Sequence, residues 1–309
     1  MDAFDLQLLF AHRDLLSESP EPAFRFIGPV PKAKSVAILS GSFNPPTAAH
    51  HLIAERARAG GCELAMFALP RRPAGKDHAG LLPEDRLLAL RMIAPRAGIA
   101  VATSTHGLYV HQAGAAAKAF PDADIVFLAG SDKVVQIFES QWYEDRDASL
   151  EALFARVSFL VSPRSSDGPH LRAVLGAPEN RRFADAIRVV PLHPSVADLS
   201  STRVRGLLEA GADATGYVPP AVANLLAELQ PFARPQRFAG EVIDPYEVRA
   251  RLIDALWIVR EWAERAADLR ALHRLATSMS PEGAHVRRTL ALGSPGPEEL
   301  LRLQALASA

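Results

Sequence analysis

The chain is poor in the residues that form cross-links and fixed metal cages. Its 309 residues include one cysteine, Cys62, which excludes an internal disulfide and a zinc site made of four cysteines. The charges nearly cancel, with 34 basic and 35 acidic residues and a net charge of −1. Such a chain lacks the broad positive field of a nucleic-acid-binding protein, so any anion-binding site must be local.

Long apolar runs are also missing. No stretch approaches the ~20 consecutive apolar residues that a membrane-spanning helix needs. The amino-terminal segment carries Asp2 and Asp5 where a signal peptide would be basic, and no small-residue cleavage pattern follows it. Together with the single cysteine, these absences predict a cytoplasmic protein that binds neither membranes nor nucleic acid.

Short apolar runs alternate with longer amphipathic segments along most of the chain. The runs, stopped mainly by glycine or proline, predict strands at 35–40, 64–69, 99–102, 125–129, 157–161 and 187–190. Helices are predicted from Thr47 to Gly60, from Pro83 to about Pro95 and from Val110 to Phe120. This alternation predicts an α/β fold, a Rossmann-like doubly wound parallel sheet covered by helices. Ligands of such sheets bind beyond the carboxyl ends of the strands, so motifs at those ends should meet.

Composition divides the chain into three predicted regions. Residues 1–34 form an amphipathic helix and a proline-containing connector, 35–232 the α/β domain, and 233–309 a helical C-terminal extension. Apolar spacing in the extension predicts one long helix from about Pro245 to Met279, broken at Pro281, and a short helix from about Pro297. The extension could pack on the domain, the simpler interpretation, or form an oligomerisation or partner surface, which leaves a homo-oligomer open.

The first predicted strand runs into a glycine- and proline-rich loop and a helix start, residues 41–50 (GSFNPPTAAH). Gly41 lets the backbone approach a ligand closely. Backbone N–H groups and the helix dipole at this point favour phosphate, and the imidazole of His50 in the first turn can donate to a phosphoryl oxygen. Taken alone, the segment also fits an ordinary strand–helix junction, and it matches neither the Rossmann glycine motif nor Walker A.

A second candidate segment is residues 199–205 (LSSTRVR). Its serines and threonine can cap a helix that runs to about Ala210. Arg203 and Arg205 lie near the helix amino terminus, where cations oppose the dipole, and this placement suggests an anionic ligand. The alternative is an ordinary capped helix with solvent-facing arginines.

Two other candidates follow a later strand. Asp132, after Gly130 at the end of the 125–129 strand, could accept a hydrogen bond from a ribose hydroxyl, or it could cap the next helix. Trp142 follows in the same segment and on its own is equally a core or surface aromatic residue.

These segments together resemble the nucleotidylyltransferase superfamily. Residues 41–50 are similar to its first signature, with His50 as the second histidine and Thr47 replacing the first, as in the mononucleotide adenylyltransferase branch. Residues 199–205 are similar to the S-S-T-x-x-R motif with Arg205 in the arginine position, and 216–219 (GYVP) to the Y-x-V-P element that follows. The resemblance spans residues 35–232 and says nothing of the extension.

The resemblance implies an enzyme that transfers an adenylyl group from ATP to nicotinate or nicotinamide mononucleotide and releases pyrophosphate. It implies three groups of site residues: catalytic His50, Arg205 and Thr47; phosphate-binding Gly41, Ser42, Phe43, Lys76, Ser200, Ser201 and Thr202; and, on the mononucleotide side, Asp132, Trp142 and Arg164. Mg²⁺ is expected to bind through the substrate phosphates rather than a protein cage.

Some choices stay open at this stage. The loop around Lys76 matches the family poorly, so this lysine is equally a solvated loop residue. The acceptor could instead be phosphopantetheine or a cytidylyltransferase substrate, or the protein could be a non-catalytic nucleotide-binding regulator of the same fold. The presence of both His50 and Arg205 argues against the regulator. The sequence does not choose between the nicotinate and nicotinamide forms.

Overall fold

A seven-stranded sheet is the centre of the computed structural model, which describes residues 1–72, 80–94, 98–163, 168–190, 199–238, 240–293 and 295–308. Its strands are β1 (Phe24–Phe26), β2 (Ser35–Ser40), β3 (Leu64–Pro70), β4 (Ile99–Ser104), β5 (Asp124–Gly130), β6 (Ser158–Ser162) and β7 (Ile187–Val189). They lie in the order β1-β4-β3-β2-β5-β6-β7, with all pairs parallel except the antiparallel edge pair β1–β4. The predicted doubly wound parallel sheet is confirmed.

The strand order places one crevice at the middle of the sheet. β2 and β5 are neighbours, in register from Ser35↔Asp124 to Leu39↔Leu128, and the chain winds away from them in opposite directions. In open α/β sheets the ligand crevice lies outside the carboxyl ends of the strands at such a switch point. The segments that follow Ser40 and Gly130 therefore flank the expected ligand crevice.

Helices cover both faces of this sheet. They are α1 (Leu6–Leu15), α2 (Ala48–Ala59), α3 (Pro83–Ile93), α4 (Tyr109–Ala119), α5 (Ser131–Ile137), α6 (Arg146–Phe154), α7 (Gly168–Gly176), α8 (Ser201–Glu209) and α9 (Pro220–Leu229). The helices predicted from Thr47, Pro83, Val110 and the 199–205 segment are confirmed as α2, α3, α4 and α8. Successive β2 side chains alternate between two apolar clusters, Val36 and Ile38 in one, Ala37 and Leu39 in the other. The sheet is thus buried on both sides, as its continuous apolar runs require.

The C-terminal extension differs from the prediction. It begins with a hairpin, β8 (Gln236–Phe238) and β9 (Glu241–Ile243), followed by α10 (Pro245–Ile258), α11 (Arg260–Ala266), α12 (Leu269–Thr277), α13 (Pro281–Ala291) and α14 (Pro297–Ser308). The predicted single helix from Pro245 to Met279 is wrong. The chain leaves helical geometry at Val259, and the Asp268 carboxylate accepts the Ala271 N–H and caps a new helix. Pro281 starts a helix instead of only breaking one, while the last helix is confirmed.

The amino-terminal segment joins the rest of the chain at two places. Its predicted helix is confirmed as α1, but the connector also contains the strand β1, which was not predicted because three residues show no recognisable sequence period. This strand extends the sheet through Phe24↔Ser104. Leu6, Leu9 and Phe10 of α1 lie in the same apolar cluster as the helices of the extension.

The extension packs against α1 of the amino-terminal segment and contacts α3 of the α/β domain, in line with the simpler interpretation of the sequence. Its Arg249 forms a buried ion pair with Asp85 of α3, at 2.8 Å. The regional boundaries at 34 and 232 stay predictions. Within the described ranges, no helix is both long and apolar enough to cross a bilayer.

His12 connects α1 to α3 as a buried neutral imidazole. Its Nδ1–H donates to the Glu84 carbonyl at 3.1 Å, and its Nε2 accepts from Arg91 at 3.2 Å. Burial, with a contribution from the Arg91 charge, lowers the pKa of His12 from 6.5 to about 4.

This shift predicts a pH-dependent stability. Below pH 6.5 His12 of the unfolded chain binds a proton that folded His12 does not. The free energy of unfolding therefore decreases as the pH is lowered from 6.5 to about 4. Between pH 7 and 5 the imidazole should remove about 2 kcal/mol of unfolding free energy. Urea titrations of the wild type and His12→Asn at both pH values test this. The loss of unfolding free energy from pH 7 to pH 5 should be about 2 kcal/mol smaller in the variant. An equal loss in the two proteins would contradict the assignment.

Candidate active site

The loop after β2 is folded tightly against the sheet. The Gly41 N–H donates to the Ala68 carbonyl at 3.1 Å, and the Asn44–Pro45 peptide bond is cis. Phe43 has a left-handed φ of 44° and a buried ring that contacts Phe67 edge-on, with centroids 5.6 Å apart. Because that ring belongs to the core, any contact of Phe43 with phosphate would come from its backbone.

Thr47 and His50 form a reciprocal cap at the start of α2. The Thr47 hydroxyl accepts the His50 N–H, and the Thr47 N–H donates to His50 Nδ1 at 2.9 Å. Since Nδ1 accepts a hydrogen bond, the neutral imidazole carries its proton on Nε2, which is then a donor. Thr47 is fully buried, so its hydroxyl acts by orienting His50. The Phe43 ring, edge-on to His50 at 5.1 Å, fixes the imidazole further.

The second motif docks directly on this loop. Ser201 Oγ donates to the Pro45 carbonyl at 2.8 Å, and Arg205 Nη1 donates to the Asn44 carbonyl at 2.8 Å. These bonds join residues more than 150 positions apart in sequence. The structure therefore brings the two signatures together at the carboxyl end of β2, where Arg205 of α8 donates to the loop that leads to His50 of α2.

The hydroxyl groups of the second motif have partners within the protein. Ser200 caps α8 by accepting the Arg203 N–H at 3.1 Å, and Thr202 Oγ1 accepts from Arg205 Nη2 at 3.4 Å. Arg203 instead lies over the Tyr217 ring, 5.4 Å from its centroid. Only Arg205 of the two candidate arginines thus contacts the loop after β2.

The Y-x-V-P element, residues 216–219, contacts the start of α2. The Tyr217 carbonyl accepts the N–H of Ala48, the first residue of α2, at 2.9 Å. Sequence analysis missed Arg86 of α3, which is almost fully buried and donates through Nε to the Leu81 carbonyl at 2.8 Å. Burial first, and then the charge of Arg205, lowers the pKa of Arg86 to about 10. An arginine inside an amphipathic helix gives no sequence signal of this position.

A cleft lies beside the loop, between the ends of β2 and β5. It is lined by Ser40, Gly41, Ser42, Pro70, Gly107, Leu108, Tyr109, Lys133, Gln136, Ile137, Trp142 and Tyr143. Gly41, Ser42 and Trp142 were expected in the site, and the cleft brings them together. The Trp142 Nε1–H donates to Glu139 Oε2 at 2.9 Å, which fixes the orientation of the indole.

Asp132 lies exposed in the first turn of α5, next to this cleft. A Cβ at Gly130 would lie 2.6 Å from Asp132 Oδ1, so the carboxylate folds back over the end of β5. Burial, and then the Asp132 charge, raises the pKa of Tyr109, which is therefore a neutral phenol at the cleft wall. Lys133 Nζ donates to Gln136 Oε1 at 2.6 Å and adds a cation to the lining. Lys76 and Arg164, the remaining predicted residues, lie outside the described residues.

The strand order and the two joined signatures define a nucleotide-binding α/β transferase. The sequence model of the cytidylyltransferase-like family matches residues 38–207, and the chain belongs to this family. This membership confirms the predicted fold and the nucleotidyltransferase class of enzyme. Residues beyond 207, including the whole helical extension, lie outside the family match.

Several known proteins are similar to this chain. Probable nicotinate-nucleotide adenylyltransferase of Anaeromyxobacter sp. (strain K) is 30% identical over 63% of the chain and 95% of that protein. The protein of that name from Geobacter sulfurreducens is 27% identical over 63% and 97%. A Plasmodium falciparum nicotinic acid mononucleotide adenylyltransferase, solved with NaAD, shares the fold with a TM-score of 0.50 at 15% identity, over 64% of this chain and 97% of that one.

The orientation of His50 predicts a large effect of its removal. His50→Ala deletes a donor at the end of the loop after β2, so turnover should fall about a hundredfold or more, the usual loss for one transition-state donor. Steady-state pyrophosphate release measures this. His51→Ala is the matched control, because His51 pairs with Glu55 at 3.2 Å on the same helix. Near wild-type turnover of His50→Ala would remove His50 from the reaction.

Proposed function

We propose that the protein transfers the adenylyl group of ATP to nicotinate mononucleotide, giving the adenine dinucleotide and pyrophosphate, a step of NAD biosynthesis. The observation that carries this proposal is the docking of Ser201 and Arg205 on the loop that leads to His50. This docking joins Arg205 to the loop that ends at His50, and Gly41 and Ser42 at the other end of the loop line the cleft that holds Trp142. The names of the similar bacterial proteins support this acceptor.

In the proposed reaction a phosphate oxygen of the mononucleotide attacks the α-phosphorus of ATP. A new P–O bond forms, the bond from the α-phosphorus to the bridging oxygen breaks, and that oxygen leaves with pyrophosphate. His50 and Arg205 bind phosphoryl oxygens and offset the negative charge that grows on the leaving group. The rest of the loop holds the two anions in line, which is the main need of phosphoryl-type transfer.

Mg²⁺ belongs to this proposal as a companion of the triphosphate. The site offers donors, from His50, Arg205 and the loop N–H groups, which suit phosphate and not a cation, and the described residues contain no cluster of three His, Cys, Asp or Glu side chains placed for a metal. The ion would take its ligands from phosphates and water, as Mg²⁺ commonly does. When bound, it neutralises phosphate charge.

Two features of the cleft support a nicotinate ring as the occupant. Trp142 offers an indole of fixed orientation on which a pyridine can stack. Lys133 places a cation in the same lining, and a cation favours the carboxylate of nicotinate over the neutral carboxamide of nicotinamide. In this proposal Asp132, in the first turn of α5, accepts a hydrogen bond from a ribose hydroxyl.

The direct test is pyrophosphate release with ATP and Mg²⁺, with nicotinate mononucleotide, nicotinamide mononucleotide and phosphopantetheine offered in parallel. We expect release with the pyridine mononucleotides and the higher kcat/KM with the nicotinate form. Preference for phosphopantetheine would replace the acceptor. Silence with all three, on protein that still binds ATP, would point to another acceptor or to the regulator.

The role given to Lys133 predicts a change of specificity. Lys133→Met keeps the length of the side chain and removes its charge, so kcat/KM for nicotinate mononucleotide should fall about tenfold, the scale of one charged hydrogen bond. The value for nicotinamide mononucleotide should change little. Lys118→Met, which removes an exposed lysine paired with Glu21, is the control. Equal losses for both acceptors would mean that Lys133 does not select the ring substituent.

A further inference from the structure

A buried polar cluster joins the helical extension to the α/β domain. Arg249 of α10 donates to both carboxylate oxygens of Asp85, at 2.8 and 3.0 Å, and Tyr246 donates through its hydroxyl to Asp85 Oδ2 at 2.6 Å. Arg249 also donates to the carbonyl of Ala3. Asp85 and Arg249 have almost no exposed surface. Burial and the Asp85 charge raise the pKa of Tyr246 well above its usual value, so the phenol stays protonated and donates.

The cluster is connected to the active-site loop by successive hydrogen bonds. The Tyr246 hydroxyl accepts the Leu82 N–H at 2.7 Å, and the adjacent Leu81 N–H donates to Asn44 Oδ1 at 2.9 Å. The carbonyl of the same Asn44 accepts from Arg205 at 2.8 Å. The path from the extension to the phosphate-binding arginine therefore crosses only one short backbone segment, residues 80–82.

Close packing leaves this segment little room to shift. Gly80 has a φ of +105°, and a Cβ there would lie 2.6 Å from Asn44 Oδ1 and 3.0 Å from the Phe232 ring. Arg86 donates to the Leu81 carbonyl at 2.8 Å from the other side. A displacement of segment 80–82 would thus be passed to Asn44, because dense packing transmits shifts instead of absorbing them.

A purely stabilising role explains this arrangement poorly. Replacement of a buried ion pair by apolar residues of similar volume is often neutral or stabilising, so the pair is a weak source of stability. A bidentate guanidinium–carboxylate pair does fix direction and distance. The apolar cluster that the extension shares with α1 would hold the extension in place without fixing the Leu81 and Leu82 amides.

We propose that Tyr246 and Arg249 of the extension are positioning residues for nucleotidyl transfer. Through Asp85 and the amides of Leu81 and Leu82, they set the place of Asn44 and so of Arg205. ATP phosphates are the ligand whose binding depends on this alignment. The inference rests on the proposed nucleotidyltransferase site. It depends on the proposed acceptor only in assays that measure turnover.

The test compares Tyr246→Phe, which removes one hydroxyl and keeps the ring, with Val286→Ala, which opens the apolar core of the same extension and changes no residue of the cluster. Tyr246→Phe should weaken ATP binding in calorimetry about fivefold to tenfold, the effect expected from a misplaced charged hydrogen bond. Amide hydrogen exchange should become faster at Leu81. The variant does not alter Asn44, which accepts the Leu81 N–H, so faster exchange would report a shift of the backbone. Val286→Ala should lower the melting temperature and leave both readouts as in the wild type.

Arg249→Lys gives a second variant, because lysine keeps the charge but cannot make the bidentate contact. It should shift ATP affinity and Leu81 exchange in the same direction as Tyr246→Phe. Wild-type ATP affinity and Leu81 exchange in Tyr246→Phe, with a melting temperature lowered as in Val286→Ala, would overturn the proposal. Failure of every acceptor in the turnover assay would refute the proposed function alone, since neither ATP binding nor exchange needs an acceptor.

Discussion

The active site depends on the two hydrogen bonds that Asn44 accepts. Its carbonyl receives the Arg205 guanidinium, and its side-chain oxygen receives the Leu81 N–H. Three segments distant in sequence, the loop after β2, helix α8 and the start of α3, are thereby fixed to one buried residue. Buried polar groups need hydrogen-bond partners. If any one of these segments moved away, a buried polar atom of another segment would lose its partner. This mutual dependence makes the geometry of the candidate site a property of the folded core rather than of a surface loop.

The sheet supplies the other half of the geometry. Because β2 and β5 adjoin at the point where winding reverses, the loop bearing His50 and the turn bearing Asp132 start side by side. The segment after one strand then carries His50, and the segment after the next carries Trp142 and Lys133 in the cleft lining. In the proposed reaction the two anionic substrates meet between these segments without a covalent intermediate on the protein.

Local signals in the sequence were sufficient for the six parallel strands and for the two candidate segments that meet after β2. Continuous apolar runs identified the parallel strands, and glycine, proline and capping residues identified the loop before α2 and the start of α8. Arg86, Tyr109 and Lys133 were missed because their roles arise from neighbours brought in by folding, as with the Arg205 charge beside Arg86. The extension was misjudged for a related reason. Its apolar spacing continues across Val259 and Asp268, so the pattern does not show that helices end and begin there. The turns at these residues let several short helices pack into one apolar cluster.

The buried polar cluster of Asp85, Tyr246 and Arg249 joins the extension to the α/β domain. Asp85 lies within the residues matched by the family, whereas Arg249 and Tyr246 lie beyond them. A buried carboxylate that loses its partner costs about 3–5 kcal/mol, a large part of the stability of an ordinary domain. The Asp85 charge is therefore compatible with its burial only while Arg249 contacts it. The buried pair thus joins the α/β domain to the extension at Asp85, the residue through which we propose that the extension positions residues 80–82.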